Sequence, residues 1–184
     1  MSFQEQKSRQ LSREDKSGKG NWDRAISSLC KKINSRKEYY TTSSCSGRAI
    51  LIKALDEKTE NVFLFKSHEK ISFSQLKEEL GKIRYRKLIY FKQEPCILHV
   101  ACSSLVTGKI LLNKARFAGW KRSGMIAEGK RVILELMSTE KLELPVMNNR
   151  KLLIDDDFLR LLVEEANKKL ERTWEKIRKL EKLV

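Results

Sequence analysis

The sequence predicts one α+β domain, with a mixed but mostly antiparallel sheet flanked by helices and a long C-terminal helix. Short apolar segments rich in β-branched residues alternate with amphipathic segments of helical period, which is typical of this class. The chain of 184 residues, 40% of them hydrophobic, is long enough for a sizeable core. From Asp155 onward the apolar positions keep helical spacing to the end of the chain.

The N-terminal half begins with residues 1–14, which lack apolar periodicity and are expected to form a mobile arm before a domain of residues 15–184. Ser72 and Gln75 match a capping box, which indicates the start of a helix. The elements predicted in this half are, in order, a helix at 21–36, strands at 49–52 and 62–65, and a helix at 73–81.

The C-terminal half is predicted from the same periodicities. Gly119 follows a helical segment and can terminate it. The triple acid at 155–157 favours a helix start, and the lysines and arginine of residues 176–182 favour its end, through the helix macrodipole. The predicted elements are strands at 88–91 and 97–102, a helix at 104–118, an antiparallel pair at 131–137 and 141–146, and the C-terminal helix.

The order of these elements suggests a possible internal duplication. A helix, a Ser-Gly dipeptide and two strands occur around Ser46-Gly47 and again around Ser123-Gly124. A duplicated unit would bring the two Ser-Gly turns near each other. Coincidence explains two such dipeptides equally well, since serine and glycine are common turn residues.

The net charge of +15 lies entirely within residues 1–151, because residues 152–184 carry as many acids as bases. Such a basic body suits a polyanionic partner, RNA or DNA, bound through counterion release. A lysine-rich surface that serves only solubility is the alternative. The chain has no apolar segment long enough to cross a bilayer and no signal peptide, so a cytoplasmic protein is expected.

Several classes of site lack support in this sequence. The four cysteines show no C-x-x-C spacing, so neither a zinc site nor a disulfide framework is expected. The glycine-rich motifs of Rossmann and P-loop proteins and the G-x-S-x-G nucleophile motif are also absent from the sequence. Cys45 with a histidine base is conceivable, but a cysteine that simply packs is the more common case.

The polar segment of residues 39–48 is the most informative part of the chain. It combines hydroxyls, a thiol, a glycine and an arginine immediately before the apolar strand at 49–52, which would hold it in place at one end. Gly47 permits a close backbone approach, and Arg48 offers a planar set of donors for phosphate or carboxylate. Either a binding site or an ordinary Ser/Thr-rich turn fits this composition.

Five polar motifs, taken in order, resemble the tRNA wybutosine-synthesizing protein 3 family. The resemblance extends from Asp15 to the C-terminal helix. It departs from the family pattern at Phe63, where a tryptophan is expected, and in the length of the N-terminal arm. The motifs are Asp15-x-Ser17-x-Lys19-Gly20-x-x-Asp23, Tyr40-x-Thr42-Ser43-Ser44-Cys45-Ser46-Gly47-Arg48, Phe65-x-Ser67-His68, Lys92-x-Glu94-Pro95-x-x-Leu98-His99-Val100 and Gly119-x-x-x-Ser123-Gly124.

The resemblance implies an S-adenosylmethionine-dependent methyltransferase that acts on ring nitrogen N4 of the tricyclic guanosine next to the anticodon of phenylalanine tRNA. It implies no metal and no membrane. Methyl transfer needs in-line positioning, and the cofactor supplies the reactive group, so the lack of a catalytic triad motif agrees with it. A non-catalytic RNA-binding module and a small-molecule transferase with an incidental basic surface are the alternatives.

Candidate roles follow from this resemblance and from side-chain chemistry. Carboxylates can bind amino or ribose groups or orient the base, histidines can accept a proton, and cations can bind phosphate or carboxylate. The catalytic candidates are Asp15, Ser17, Asp23, His68 and His99. The cofactor-binding candidates are Ser43, Ser44, Cys45, Ser46, Gly47, Glu94, Ser123 and Gly124. The substrate-binding candidates are Lys19, Arg48, Lys66 and Ser67.

Overall fold

The computed structural model describes residues 1–12, 22–54, 62–129 and 131–184. Its described helices are α1 (Phe3–Leu11), α2 (Arg24–Ser35), α3 (Phe73–Lys82), α4 (Leu105–Phe117) and α5 (Asp156–Leu183). Its described strands are β1 (Tyr39–Cys45), β2 (Arg48–Lys53), β3 (Phe63–Ser67), β4 (Ile89–Glu94), β5 (Ile97–Cys102), β6 (Gly124–Ala127), β7 (Val132–Met137), β8 (Leu142–Asn148) and β9 (Lys151–Leu152).

The chain divides into two compact units. Unit 1 comprises Met1–Ser46, Cys96–Thr139 and Thr173–Val184, and unit 2 comprises Gly47–Pro95 and Glu140–Arg172. The α+β class and the long C-terminal helix are confirmed. The strands form two sheets rather than the one expected, and every described strand pairing is antiparallel. The single-domain organisation stays a prediction.

Unit 1 contains sheet A, with the strand order β1-β5-β7-β6. Alternate residues of β5 and β7 are fully buried, as the period of two predicts, and they form a core with α2, α4 and the end of α5. Trp120 is buried there, and its indole nitrogen donates to the carbonyl of Lys176 at 3.1 Å. The buried side chains at the centre of this core include Ile26, Leu29, Leu98, Val100, Leu111, Leu134, Leu136 and Ile177.

Unit 2 contains sheet B, with the strand order β3-β2-β4-β8-β9. Leu51 of β2 and Phe91 of β4 form its core with Leu76 of α3 and Val163 of α5. The predicted capping box is half formed, because the Ser72 hydroxyl accepts from the backbone of Gln75 at 3.1 Å.

None of the helices in the described ranges has the length and apolar composition required to span a membrane.

The structure differs from the sequence-based expectations in the pairing of β7 and β8 and in the extent of β1. The predicted pairing of 131–137 with 141–146 is wrong, since β7 belongs to sheet A and β8 to sheet B. Residues 39–45 form a full strand, although the sequence suggested only a polar segment at a strand end. Their Thr and Tyr side chains suit a half-exposed strand, and β5 pairs with the backbone groups along one edge of it.

The structure also bears on the N-terminal arm of residues 1–14 and on the two Ser-Gly dipeptides. Part of the arm forms α1, which a Ser2–Glu5 capping box begins; the mobility of the arm stays a prediction. Ser46-Gly47 links β1 to β2, whereas Ser123-Gly124 begins β6, at the opposite edge of sheet A. Two strands lie between β1 and β6, so these two edges of the sheet are about 14 Å apart. The prediction that the two dipeptides lie close together is therefore wrong, and they do not mark equivalent positions of a repeat.

Candidate active site

Four polar or small residues form one row across sheet A. Ser43 of β1 pairs with His99 of β5, His99 pairs with Glu135 of β7, and Glu135 pairs with Gly124 of β6. Residues directly opposite each other on neighbouring strands project from the same face of a sheet. The buried neighbours of His99 and Glu135 along their strands project from the other face into the core. The row therefore lies on the face of sheet A opposite this core.

Hydrogen bonds connect three side chains of this row. The Ser43 hydroxyl lies 2.9 Å from Nδ1 of His99, and Nε2 of His99 lies 3.0 Å from Oε2 of Glu135. A carboxylate can only accept, so neutral His99 carries its proton on Nε2 and accepts the Ser43 proton at Nδ1. The imidazole and the carboxylate are each about one-third exposed, and Ser43 is exposed. The arrangement can pass a proton from a ligand, through Ser43, to His99.

A β-bulge in β1 brings Ser43 opposite His99. Thr41 pairs with Val100, and the next paired residue is Ser43 with His99, so Thr42 is the extra residue. Such a bulge re-aims the side chains that follow it and is frequent beside active sites. Without the extra residue, Thr42 would stand opposite His99. The local sequence of residues 39–45 gives no sign of this register change.

Asp23 holds the end of β1 in place within unit 1. Its Oδ2 accepts from the backbone nitrogen of Ser46 at 2.9 Å and from the Ser46 hydroxyl at 3.3 Å. Asp23 occupies the N-cap position of α2, yet its side chain makes no capping hydrogen bond there. Gly47, which follows Ser46, has φ of 91°, a conformation that favours glycine. Asp23 and Ser46 were predicted as catalytic and cofactor-binding residues, and both side chains take part in this local structure.

The cysteines of unit 1 differ in their surroundings. Burial raises the pKa of Cys30 to about 12, opposed by a hydrogen bond from Ser44, and burial also raises the pKa of Cys102 to about 12. Both thiols are therefore neutral at physiological pH and suit packing. Cys45 is only partly buried. The residue paired with His99 in the strand register is Ser43, not Cys45, which favours the hydroxyl over the thiol as the partner of that imidazole.

Arg48 and Glu94 form an ion pair in unit 2. Nε of Arg48 lies 2.6 Å from Oε2 of Glu94, and the two side chains are 26% and 32% exposed. The guanidinium also lies 5.0 Å from the centroid of the Phe63 ring, in the range of a cation–π contact. The pair follows from the register of β2 and β4, which places the two residues opposite each other. It holds a planar donor group at the surface of sheet B.

The candidates at the end of β3 also belong to unit 2. The Ser67 hydroxyl donates to the carbonyl of Glu69 at 2.9 Å and accepts from its backbone nitrogen at 3.2 Å, so it stabilises a local turn. His68 follows in this turn and is half-buried, and Lys66 is exposed. Thus the structure places the two candidate histidines in different surroundings, His68 in a turn after β3 and His99 in the middle of β5.

Ser123 and Gly124 lie at the start of β6. The buried Ser123 hydroxyl donates to the Trp120 carbonyl at 2.6 Å and accepts from the Met137 backbone at 3.0 Å, so both of its bonds serve the fold. Gly124 completes the row, and a Cβ added there would have no atom of the described residues within 4 Å. As far as the described residues show, the position opposite Glu135 on β6 is therefore open. The candidates Asp15, Ser17 and Lys19 lie outside the described residues.

Glu135 is the member of the row that sequence reasoning missed. It occupies a polar position in the alternating strand 131–137, where a charged residue on the solvent face is ordinary. The only available signal was this alternation, which places Glu135 on the same face as other polar positions. The pairing with His99 depends on the register between strands far apart in sequence.

The comparisons with known proteins agree with one another. The family Methyltransferase TYW3 matches residues 4–184. A tRNA(Phe) 7-((3-amino-3-carboxypropyl)-4-demethylwyosine(37)-N(4))-methyltransferase of Archaeoglobus fulgidus is 38% identical over 83% of this chain and 77% of its own. The tRNA wybutosine-synthesizing protein 3 homolog of Danio rerio is 35% identical over 97% of this chain and 72% of its own.

Two solved structures share the fold of this chain. The structure of the PH1069 protein from Pyrococcus horikoshii matches with a TM-score of 0.88 and 33% identity, covering 98% of this chain and 95% of that one. A hypothetical protein from Aeropyrum pernix matches with a TM-score of 0.76 and 30% identity, over 88% and 99% of the two chains. With a family match over nearly the whole length and relatives above 30% identity, the chain belongs to the Methyltransferase TYW3 family.

Proposed function

We propose that this protein transfers a methyl group to ring nitrogen N4 of the 7-(3-amino-3-carboxypropyl)-4-demethylwyosine base of phenylalanine tRNA. Family membership supports methyl transfer, and the names of the relatives supply the acceptor nitrogen and the tRNA. The observation within the chain that carries the proposal is the hydrogen-bonded row Ser43–His99–Glu135. A tRNA substrate also favours a cytoplasmic site of action.

The acceptor chemistry explains why such a row is useful. Replacing N–H by N–CH3 releases a proton, and a positioned acceptor for that proton lowers the barrier. The exposed Ser43 hydroxyl receives the proton of N4 while its own proton passes to Nδ1 of His99. Glu135 then stabilises the imidazolium through Nε2–H, as an ion-paired carboxylate does for a protonated histidine. Serine is a proton carrier in this scheme and forms no covalent intermediate.

S-adenosylmethionine is the proposed methyl donor, and when bound it supplies an activated methyl group on a sulfonium. The polar groups of this donor include ribose hydroxyls, which a carboxylate can accept from. Glu94 uses Oε2 for Arg48 and is about one-third exposed, so its carboxylate has room to accept from ribose hydroxyls. Ser46 and Ser123 fit less well, because their hydroxyls are engaged within the fold. Glu94 is thus the cofactor candidate that its contacts favour most.

Arg48 is the proposed ligand for the carboxylate of the aminocarboxypropyl chain of the base. Its Nε is bonded to Glu94, and a guanidinium has four further N–H groups, two of which can bind a carboxylate side by side. Lys66, which is exposed on β3, is the proposed phosphate contact. Asp23 is reassigned in this proposal from a catalytic group to a positioning residue that fixes the end of β1.

The test uses purified protein, donor carrying a labelled methyl group, and phenylalanine tRNA that carries the demethylated base. Label in N4 of the base supports the proposal. Ser43→Ala and His99→Gln should each lower kcat by about 100-fold or more, whereas the exposed Ser103→Ala control should match the parent. No transfer by the folded parent protein to a verified precursor tRNA contradicts the function. Transfer that both variants leave intact contradicts the role of the row.

A further inference from the structure

Helix α4 has one face in the core of unit 1 and one face that is exposed. Gly108, Leu111 and Ala115 are buried, and a Cβ added to Gly108 would lie 3.1 Å from Cγ1 of Val132, so the helix packs closely on β7. On the opposite face Val106, Ile110 and Phe117 are 67%, 46% and 70% exposed. Their spacing of four and seven residues places them in one stripe along the helix.

The stripe is accompanied by positive charge. Lys109 and Arg116 are exposed beside it, and α4 contains neither aspartate nor glutamate. Lys121 and Arg122, both exposed, follow the end of the helix, and the ammonium of Lys179 lies 4.9 Å from the centroid of the Phe117 ring. We define the α4 face as Val106, Lys109, Ile110, Asn113, Arg116 and Phe117. It is about 16 Å long at 1.5 Å per residue.

The charge and the aromatic ring together indicate what covers this face. The face carries cations of one sign, and the helix has no acid to balance them, so a polyanion complements it. RNA supplies phosphates for the lysines and arginines and unpaired bases that stack on an exposed aromatic ring. Glu38 lines a cavity together with Leu111 and Lys114 of this helix, neither of which belongs to the α4 face.

We propose that the α4 face is a docking surface for tRNA, with Lys109 and Arg116 at phosphates and Phe117 against an unpaired base. This inference rests on the proposed function, since it takes tRNA to be the substrate. The α4 face is separate from the row of Ser43, His99 and Glu135, because those residues lie on the opposite side of sheet A from the core into which α4 packs. Binding through α4 therefore sets affinity for the tRNA rather than the chemical step.

Binding of transcribed phenylalanine tRNA to the full chain, measured by fluorescence anisotropy across a potassium chloride series, tests this proposal. Lys109→Gln should flatten the slope of log affinity against log salt by about 0.7–0.9, the value for one lost phosphate contact. Lys151→Gln, which removes another exposed cation, on β9, should leave the slope unchanged. Phe117→Ala should weaken binding about tenfold at fixed salt, while Phe158→Ala, at another exposed phenylalanine, should not.

All four side chains are exposed, so the variants should melt like the parent. Equal effects of Lys109→Gln and Lys151→Gln would overturn the proposal. The proposal would also be overturned if the parent self-associates and Phe117→Ala abolishes this self-association without changing tRNA affinity. The α4 face would then bind a second copy of the chain. Binding and methyl transfer are separate readouts. If tRNA binding is salt-dependent and requires the α4 face, but the protein transfers no methyl group, the docking surface is supported and the proposed function is contradicted.

Discussion

Nε2 of His99 lies 3.0 Å from Oε2 of Glu135, and the two residues face each other in the register of β5 and β7. The carboxylate fixes the tautomer in which Nδ1 accepts from Ser43. Glu135 touches neither the base nor the donor in the proposed mechanism, so it acts as a positioning residue. Its effect should appear in the chemical step alone.

Glu135→Gln should lower kcat for methyl transfer by about 10- to 100-fold, because an amide can orient the imidazole but cannot stabilise its positive charge. The dissociation constants for donor and tRNA should stay near those of the parent. Single-turnover rates with calorimetric binding measure both quantities. Glu128→Gln, at an exposed acid after β6, is the matched control. Equal rates for the two variants would show that the His99–Glu135 contact has no catalytic role.

Asp23→Ala should destabilise the fold by about 1–3 kcal/mol, since the buried Ser46 backbone nitrogen loses its acceptor. Asp23→Asn keeps an acceptor oxygen and should cost less. Urea denaturation of both variants measures the difference in unfolding free energy. If Asp23→Ala is as stable as the parent but inactive, the carboxylate acts in catalysis, as the sequence suggested, and not as a support for β1.

The buried thiols predict a pH dependence of stability. The pKa of Cys30 and of Cys102 is raised to about 12 in the folded protein, whereas an exposed thiol ionises near pH 8.5. The unfolded chain therefore loses these protons first, and stability falls as pH rises from about 9 towards 12. Urea unfolding at a series of pH values should show a smaller fall for Cys30→Ala than for the parent. An identical fall would contradict the burial of this thiol.

Arg48→Ala should weaken tRNA substrate binding by about 1.5–3 kcal/mol, the range for a charge-assisted hydrogen bond, and leave the fold largely intact. Arg48→Lys keeps the charge but loses the planar pair of donors, so it should restore only part of the affinity. Affinities for tRNA with and without the aminocarboxypropyl chain show whether Arg48 binds the carboxylate of that chain. If Arg48→Ala weakens both equally, the guanidinium does not read that carboxylate.

Leu170→Ala should destabilise the protein by about 2–5 kcal/mol, because Leu170 is buried at 1% exposure. Lys168→Gln on the same helix removes an exposed side chain that pairs with Glu164 and Glu165. Because this pair is solvent-exposed, the substitution should leave stability close to that of the parent and leave the salt dependence of tRNA binding unchanged. Thermal melting measures both variants. Similar melting temperatures for Leu170→Ala and the parent would contradict the burial of Leu170 in the packing of α5.

The elements of this fold were largely predictable because they depend on local patterns. The spacing of Leu159, Val163 and Leu170 in α5 identifies the buried face of a helix without knowledge of its partners. The separation of β7 from β8 was not predictable from such patterns. The two strands are close in sequence and have the same alternation of apolar and polar residues. Only the pairing of β7 with β5 and of β8 with β4 assigns them to different sheets.

Two residues of the row were candidates from the sequence, Ser43 for cofactor binding and His99 for catalysis, whereas Glu135 and the contacts among the three were not predicted. The polar segment around Ser43 and the histidine at 99 were identified from composition and from the family resemblance. The extra residue at Thr42, which aligns Ser43 with His99, and the register that brings Glu135 to His99 arise from long-range pairing. No local propensity encodes either of them.

Methyl transfer to N4 is expected to depend on the row of Ser43, His99 and Glu135. Mass spectrometry of phenylalanine tRNA from a host that lacks its own enzyme of this family tests it directly. With the parent chain expressed, the demethylated base should disappear and the N4-methylated base should take its place. With His99→Gln expressed at the same level, the demethylated base should persist. A base that stays demethylated with the folded parent would contradict the proposed function, and a base that the variant methylates equally would contradict the role of the row.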